Sequence, residues 1–553
     1  LYMSPKLLKM FKRGEITKEQ VIKDIIAGFI VAIIALPLSI ALGISSGVSP
    51  EKGLITAIFA GFVISLLGGS RVQIGGPTGA FVVIIYGIVQ TYGIKGLIIA
   101  TMMAGVILVV MGLLKLGSVI KYVPHTITVG FTSGIAITLL STQVKDFLGL
   151  RIDKVPAEFL PKWGSYFSHL NTFHLTTFLI GLGCVLIIVF WPKVNKTIPG
   201  SMVALIVATL VVKLFNLPVE TIGSRFQNIS SAIPAPGFVS VDLNTIKELL
   251  KPAMTIAILA AVESLLSAVV ADGMIGAKHD SNMELIAQGL GNITSALFGG
   301  IPATGAIART AANVKNGGRS PISGMVHAIT LLLIMLIFMP YAKMIPMATL
   351  AAILMVVSYN MGEWSTFKSL LKAPKSDVAV LVLTFVLTVV FDLVMAIEVG
   401  MVIAMFLFIK KVVDTTKIRD MSEGNALDED LTQMLEETDD KILVYQVNGP
   451  LFFGMVQNFM DVMNEVQPSA EVLILDMRYV HSVDASAMAA LKRLHKRCEK
   501  FKIKLLLTHL HDQPERCLHK MGFLDEIEKR HIFSSKTEAI AAAYDYIKAL
   551  EAV

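Results

Sequence analysis

Charge is the first thing this sequence lacks. Asp, Glu, Lys and Arg make up 16% of its 553 residues, against about 25% in soluble proteins. Hydrophobic residues reach 54% and the mean hydropathy is +0.69, so the deficit excludes an ordinary water-soluble enzyme. Cysteine is scarce too: Cys184, Cys498 and Cys517 are too few and scattered for a disulfide framework or a Cys-rich metal site. GxxxxGK[ST], HExxH and CxxC are absent, which excludes recognisable ATPase, zincin or dithiol sites; no cofactor and no metal are expected. No basic aromatic patch suggests nucleic acid. The eleven histidines are scattered, and His125 and His327 read as structural or interfacial.

What is present is a series of long apolar runs, each a candidate to cross a bilayer in about 20 residues. Residues 1–24 are basic and amphipathic, with six Lys or Arg against three acids, and show no cleavable signal peptide. Thr17 and Gln20 have capping-box spacing, so a helix is expected to start at Thr17. No charge then appears from Ile25 to Pro50. Apolar runs follow near 53–69, 77–92, 96–114, 124–143, 175–191 and 199–216, and resume near 252–271, 285–300, 303–314, 321–340, 344–361, 377–391 and 394–410. The reading is an α-helical polytopic membrane protein with about fourteen segments over residues 25–412, in halves of about 25–216 and 250–412. An even count returns the chain to its starting side. Basic residues flank both ends, so the termini are expected in the cytoplasm of a cell (inner or plasma) membrane.

Near residue 415 the composition changes. Residues 413–440 read as a linker, acidic and poor in apolar residues over 421–441. Beyond it, over 441–553, the apolar runs shrink to Ile442–Val447, Val472–Leu475 and Ile503–Leu507, separated by amphipathic stretches. Strands alternating with helices over this length predict a small cytosolic α/β domain.

Two Gly/Pro breaks interrupt the membrane part: GGPTGAF (Gly75 to Phe81) and IPATGAIAR (Ile301 to Arg309). Both contain Thr-Gly-Ala, at 78–80 and 304–306, 226 residues apart. The same offset relates the span around Pro37 to the span around Glu263, which predicts a seven-plus-seven inverted repeat. Paired broken segments in matching places are a sequence pointer to a transporter's binding site. A helix that begins inside the membrane presents free N–H groups and about half a positive charge. If half-helices begin at Thr78 and Thr304 and face one another, the gap favours an anion, and both hydroxyls add donors.

Two charges are out of place in lipid. Glu263 is the only charged residue between Lys251 and Asp272, and such residues usually face a cavity. Ser267 lies one turn later on the same face, with Ser264 beside it. Arg309 follows the second break and either stays beside the site or snorkels to the headgroups. If it stays, two helix ends and one guanidinium supply about two positive charges. Protonating Glu263 would then favour anion binding, and anion binding its protonation.

These segments resemble the SulP anion transporters, solute carrier family 26 in animals. The resemblance rests on IALPLSIALGISSG (34–47), GGSRVQIGGPTGAFVV (68–83), YVPHTITVGFTSGIAI (122–137), AVESLLSAVVADGM (261–274) and GGIPATGAIARTAANV (299–314). LILDMRYVHSVDASAM (473–488) is similar to STAS domains. The resemblance implies core and gate domains, a homodimer, and an anion held between Thr78, Gly79, Ala80 and Gly305, Ala306, Ile307, with Glu263 as the coupling position. In sodium-coupled bicarbonate members an Asp stands at Glu263 and a Thr at Ile307. Ile307 has no side-chain oxygen, although Ser267 offers one. The pattern looks more like proton-coupled bacterial members that carry C4-dicarboxylates; sulfate and bicarbonate stay open. The STAS similarity implies a cytosolic protein partner, with Ser486 either a phosphorylation site or an ordinary helix cap.

The function expected is secondary active transport of a small anion, coupled to protons. The alternatives are a sodium-coupled bicarbonate transporter, an anion exchanger or channel, a nucleobase transporter of the same general fold, and a membrane-anchored signalling module.

Overall fold

The computed structural model describes residues 4–551 except 119–122, 196–197, 241–242, 392, 416, 422–428, 440, 465–468 and 528. It divides into two compact units, Leu1–Val402 and Ile403–Val553.

In the first unit the apolar runs are helices, and the breaks between them have local causes. Helix α1 (Lys6–Lys12) precedes α2 (Lys18–Ser45). Thr17 caps α2 as its spacing predicts, its hydroxyl accepting from the Gln20 N–H at 3.2 Å. The reciprocal half of the capping box is not made, because the Gln20 amide donates to Asp24 and to the Gly317 carbonyl. Helix α3 (Pro50–Leu67) opens on proline, where a missing N–H costs nothing. The chain then leaves helix for the short strand β1 (Gly75–Gly76), a 3-10 turn (Gly79–Phe81) and α4 (Val82–Leu113). Gly93, at φ 69°, breaks α4 into two helices end to end, which is why the sequence shows two apolar runs there.

Helices α5 (His125–Leu148), α6 (Phe159–Ser168), α7 (Leu175–Val194), α8 (Gly200–Leu214) and the turn α9 (Ile222–Arg225) complete this half. The second half repeats the order of the first. Helices α10 (Leu243–Ile275) and α11 (Ser281–Leu297) lead into a short strand, β2 (Thr304–Gly305), and a nine-residue half-helix, α12 (Ile307–Lys315). Then come α13 (Ile322–Ala342), α14 (Met347–Met361), α15 (Trp364–Leu370), α16 (Lys375–Val390) and α17 (Leu393–Thr415). Among the described residues, seven helices are long and apolar enough to cross a membrane by themselves; α8, α11, α12, α14 and α16 are shorter, at 9 to 17 residues. Leu179, Leu182, Leu186 and Val189 on α7, and Leu333, Leu336 and Ile337 on α13, are exposed, as a lipid-facing surface requires.

The second unit is a five-stranded sheet with helices. Its elements are β3 (Lys417–Asp420), α18 (Glu429–Glu436), β4 (Ile442–Asn448), α19 (Val456–Asn464), β5 (Val472–Asp476) and α20 (Ala485–Phe501). They continue with β6 (Lys504–Thr508), α21 (Asp512–Lys520), α22 (Phe523–Glu526), β7 (Ile532–Phe533) and α23 (Lys536–Glu551). The strand order is β3-β4-β5-β6-β7; β3 is antiparallel to β4 and the other pairs are parallel. The expected strands are β4, β5 and β6. The edge strands β3 and β7 are too short to show a pattern. The linker expected over 413–440 is corrected in part: β3 pairs with β4, and Leu431 and Leu435 of α18 are buried in a cluster with Ile442, Val444 and Ile540. Residues 422–428 of that stretch lie outside the described residues.

Candidate functional site

The two Gly/Pro breaks meet. Strands β1 and β2 pair antiparallel, with Gly75 opposite Gly305 and Gly76 opposite Thr304, the arrangement an inverted repeat demands of equivalent segments. Beside the pair lies a cavity of about 290 Å³. Thr78 and Gly79 from the first break line it, with Ala306, Ile307 and Arg309 from the second and Glu263 from α10. Thr78 and Ala306 are the N-cap residues of the 3-10 turn leading into α4 and of α12. Both half-helices therefore begin at the cavity, where free N–H groups and the positive ends of two dipoles converge.

Arg309 does not snorkel. It is the third residue of a half-helix that starts inside the unit, and it is 2% exposed. One Nη2 hydrogen is donated to the Pro77 carbonyl, while Nε and Nη1 have no partner among the described residues. The guanidinium is accommodated by Gly76, at φ 154°, where a Cβ would come within 2.7 Å of Nη1. Thr78 is buried and its hydroxyl is likewise unpartnered. Glu263 is 7% exposed, and among the described residues its carboxylate accepts no hydrogen bond and forms no salt bridge. The cavity thus presents unused donors beside an unused carboxylate.

A profile described as the sulfate permease family matches residues 21–384, and a STAS domain profile matches 433–539. The chain belongs to the sulfate permease family. It is 42% identical over 530 residues to the putative sulfate transporter YvdB of Bacillus subtilis, covering 96% of this chain and 98% of that one. It is 31% identical to the bicarbonate transporter BicA of Picosynechococcus, with 94% of each chain covered. The solved transmembrane domain of a cyanobacterial BicA superposes with a TM-score of 0.62 at 30% identity, covering 70% of this chain and 98% of that one. The fold of SLC26A9 matches with a TM-score of 0.87 at 19% identity, over 100% of this chain and 94% of that one. As a member of the sulfate permease family this chain is a transmembrane anion transporter with a C-terminal STAS domain, and not an enzyme.

Not every residue singled out in the sequence reaches the permease cavity. Thr304 is a correction: it lies in β2, two residues before the α12 cap, and its hydroxyl donates to the Ala260 carbonyl at 3.0 Å. Gly305 is packed under Gln73, whose side chain a Cβ there would strike. Ala80 is buried in a hydrophobic cluster with Phe81 and Ile85. Ser267 is turned toward α12, its hydroxyl 3.4 Å from Thr310 Oγ1. The structurally equivalent starts are Thr78 and Ala306, two residues out of step with the Thr-Gly-Ala match.

Other lining residues were not singled out individually in the sequence: Leu38 and Leu42 of α2, Thr132 of α5, Asn360 of α14 and Glu363 just beyond it. Glu363 is exposed, with φ 43°. An acid just after an apolar run is too ordinary to stand out.

A second buried acid supports the site from behind. Glu284 of α11 is 0% exposed and accepts from the Gly69 and Ser70 N–H groups at 2.8 and 3.0 Å. It also accepts from the Gln73 and Gln288 amides at 3.0 and 2.9 Å. This anchors the loop before β1 and holds Gln73 against Gly305.

In the STAS domain, Asp484 and not Ser486 caps α20, accepting from the Ala487 N–H at 2.8 Å and from the Phe453 N–H at 2.9 Å. Ser486 is exposed in the first turn, so the reading of it as the cap is corrected.

Proposed function

We propose that this permease carries a small divalent anion, sulfate or a C4-dicarboxylate, together with a proton, by alternating access. The supporting observation is that Thr78 Oγ1 and Arg309 Nε and Nη1, without partners among the described residues, share one cavity with the Glu263 carboxylate. Two helix N-termini and one guanidinium offer about two positive charges. Of the two carboxylates that line the cavity, Glu363 is exposed to solvent, which screens it, whereas Glu263 is buried; an ionised Glu263 removes one of the positive charges, and a protonated Glu263 leaves a balance suited to a divalent anion. Proton and anion then strengthen each other's binding by the same factor.

The YvdB relative, named a putative sulfate transporter, supports sulfate. BicA, named a bicarbonate transporter, keeps that monovalent anion as the competing reading. A sodium site gains no oxygen from Ile307, whose hydrocarbon side chain lines the cavity. Leu139 of α5 packs against Gly79, its Cδ2 at 2.5 Å from where a Cβ would stand, and would part from it when the site turns to the other face. We assign the STAS domain to assembly or regulation of a homodimer on the cytoplasmic side, with Ser486 as an accessible modification position at a helix N-terminus.

Equilibrium binding of radiolabelled sulfate and succinate to the purified full chain at pH 6 and pH 8 tests the reading. Tighter binding at pH 6, levelled in Glu263→Gln, is expected. Displacement of both by bicarbonate alone, or binding indifferent to pH, would contradict it.

A further inference from the structure

A second and larger cavity, about 850 Å³, lies against the same half-helix. Val83, one turn past Gly79, lines it, as do Thr138 of α5 and Thr388 of α16. Along α5, Thr132 faces the first cavity and Thr138 the second, a separation of about 9 Å at the helical rise. Leu139, next to Thr138, packs on Gly79. The first cavity reaches the C-terminal end of α14, whereas the second reaches the C-terminal end of α16. On α10 the second chamber is lined by Glu248, Lys251 and Thr255 and the first by Glu263, about 12 Å further along the helix than Thr255, so the two chambers lie at different levels along both α5 and α10.

One cation stands out there. Lys162 lies on α6, whose ten residues are too short to cross a bilayer. It lines the larger chamber and is 4% exposed. No carboxylate, carbonyl or hydroxyl among the described residues pairs with its ammonium. A buried cation without a partner is costly unless an anion joins it. The other ionisable groups on the chamber are Glu158 at the cap of α6, Glu248 and Lys251 of α10, and Tyr92 of α4; the lining residues of α5 and α16 are uncharged. Glu158, Glu248 and Lys251 are exposed, which leaves Lys162 as the only buried charge among the described residues of the wall.

We propose that Lys162 and this chamber form a second anion site, where the transported anion waits at a different level from the central cavity before entering or after leaving it. This inference rests on the anion-transport reading above. Burial lowers the Lys162 ammonium to about 8. The site is therefore charged at neutral pH and loses its attraction as pH rises through that value. A focused positive charge in a cleft raises local anion concentration and association rate by about tenfold or more.

Cyanate labelling tests the site without transport. Isocyanic acid adds to the neutral Lys162 amine: the N–C bond forms and the amine proton passes to the cyanate nitrogen. A bound anion holds the amine protonated and slows the reaction. Purified full chain would be treated with cyanate at pH 8 in gluconate of matched ionic strength, and Lys162 carbamylation read by peptide mass spectrometry. Several-fold protection by sulfate or succinate is expected. An unchanged rate with sulfate, succinate and bicarbonate alike would overturn the proposal.

In proteoliposomes, Lys162→Gln should raise KM about tenfold for anion offered on the chamber's side, and Lys162→Arg should restore it. Equal KM in Lys162→Gln, or equal damage in both variants, would also overturn it. Protection in a protein that moves no anion would sink the transport reading and keep the site. Transport with an unprotected Lys162 would do the reverse.

Discussion

Glu263 and Arg309 line one cavity and do not pair with each other. A salt bridge between them would neutralise the site. The Arg309 guanidinium is anchored instead to the Pro77 carbonyl, which fixes its position relative to β1 while two nitrogens have no partner among the described residues. In the proposed mechanism the carboxylate is an independent group whose charge sets how much positive potential an anion would meet.

Arg309→Gln keeps a hydrogen-bonding side chain and deletes the charge. Charge-assisted hydrogen bonds contribute about 1.5–3 kcal/mol each, so sulfate or succinate affinity is expected to fall by about 10- to 100-fold. Arg309→Lys should recover only part of it, since an ammonium lacks the planar fork. Equilibrium binding to purified protein checks both; undiminished affinity in Arg309→Gln would remove the guanidinium from the site.

Gly76→Ala places a methyl 2.7 Å from Arg309 Nη1 at a backbone φ of 154°. Strain at such a position costs about 1–3 kcal/mol, and the guanidinium must move. Lower thermal stability and weaker anion binding should appear together. A normal melting temperature with normal affinity would show that the close approach is dispensable.

Glu284→Ala strands four buried donors: two backbone N–H groups and the amides of Gln73 and Gln288. Each unsatisfied group costs about 1–3 kcal/mol, so a loss of about 3 kcal/mol or more is expected, seen as a clear drop in melting temperature. Glu284→Gln keeps one acceptor oxygen and should fall between wild type and Glu284→Ala.

The sequence made much of this legible because lipid imposes strong rules. Uncharged runs become helices, and Gly and Pro interrupt them where the backbone lines a cavity, so the two breaks, the start at Thr78, Glu263 and Arg309 could be found from the text of the chain, but the strand pairing of β1 with β2 could not. The equivalence of the two breaks could not be read from residue identity. Thr78 matches Thr304 as a letter, but helix starts are set by where the backbone turns, and there Ala306 is the counterpart of Thr78. The opposing wall was silent for another reason: Leu38, Thr132 and Asn360 arrive from three distant helices and carry no unusual chemistry of their own. Lys162 was hidden similarly, since one lysine in a loop-like stretch looks solvated until packing buries it. In the STAS domain, β3 and β7 escaped because the sheet, and not a local pattern, makes them strands.

Glu263 is proposed to carry the proton that accompanies the anion. The most direct test is radiolabelled sulfate and succinate uptake into proteoliposomes under an imposed inward proton gradient, with wild type and Glu263→Gln side by side. Wild type should accumulate anion above equilibrium, and affinity should fall as pH rises because the site must take up a proton to bind. Glu263→Gln should bind anion and equilibrate it without accumulation, at a rate indifferent to pH. Gradient-driven accumulation surviving in Glu263→Gln would contradict the account.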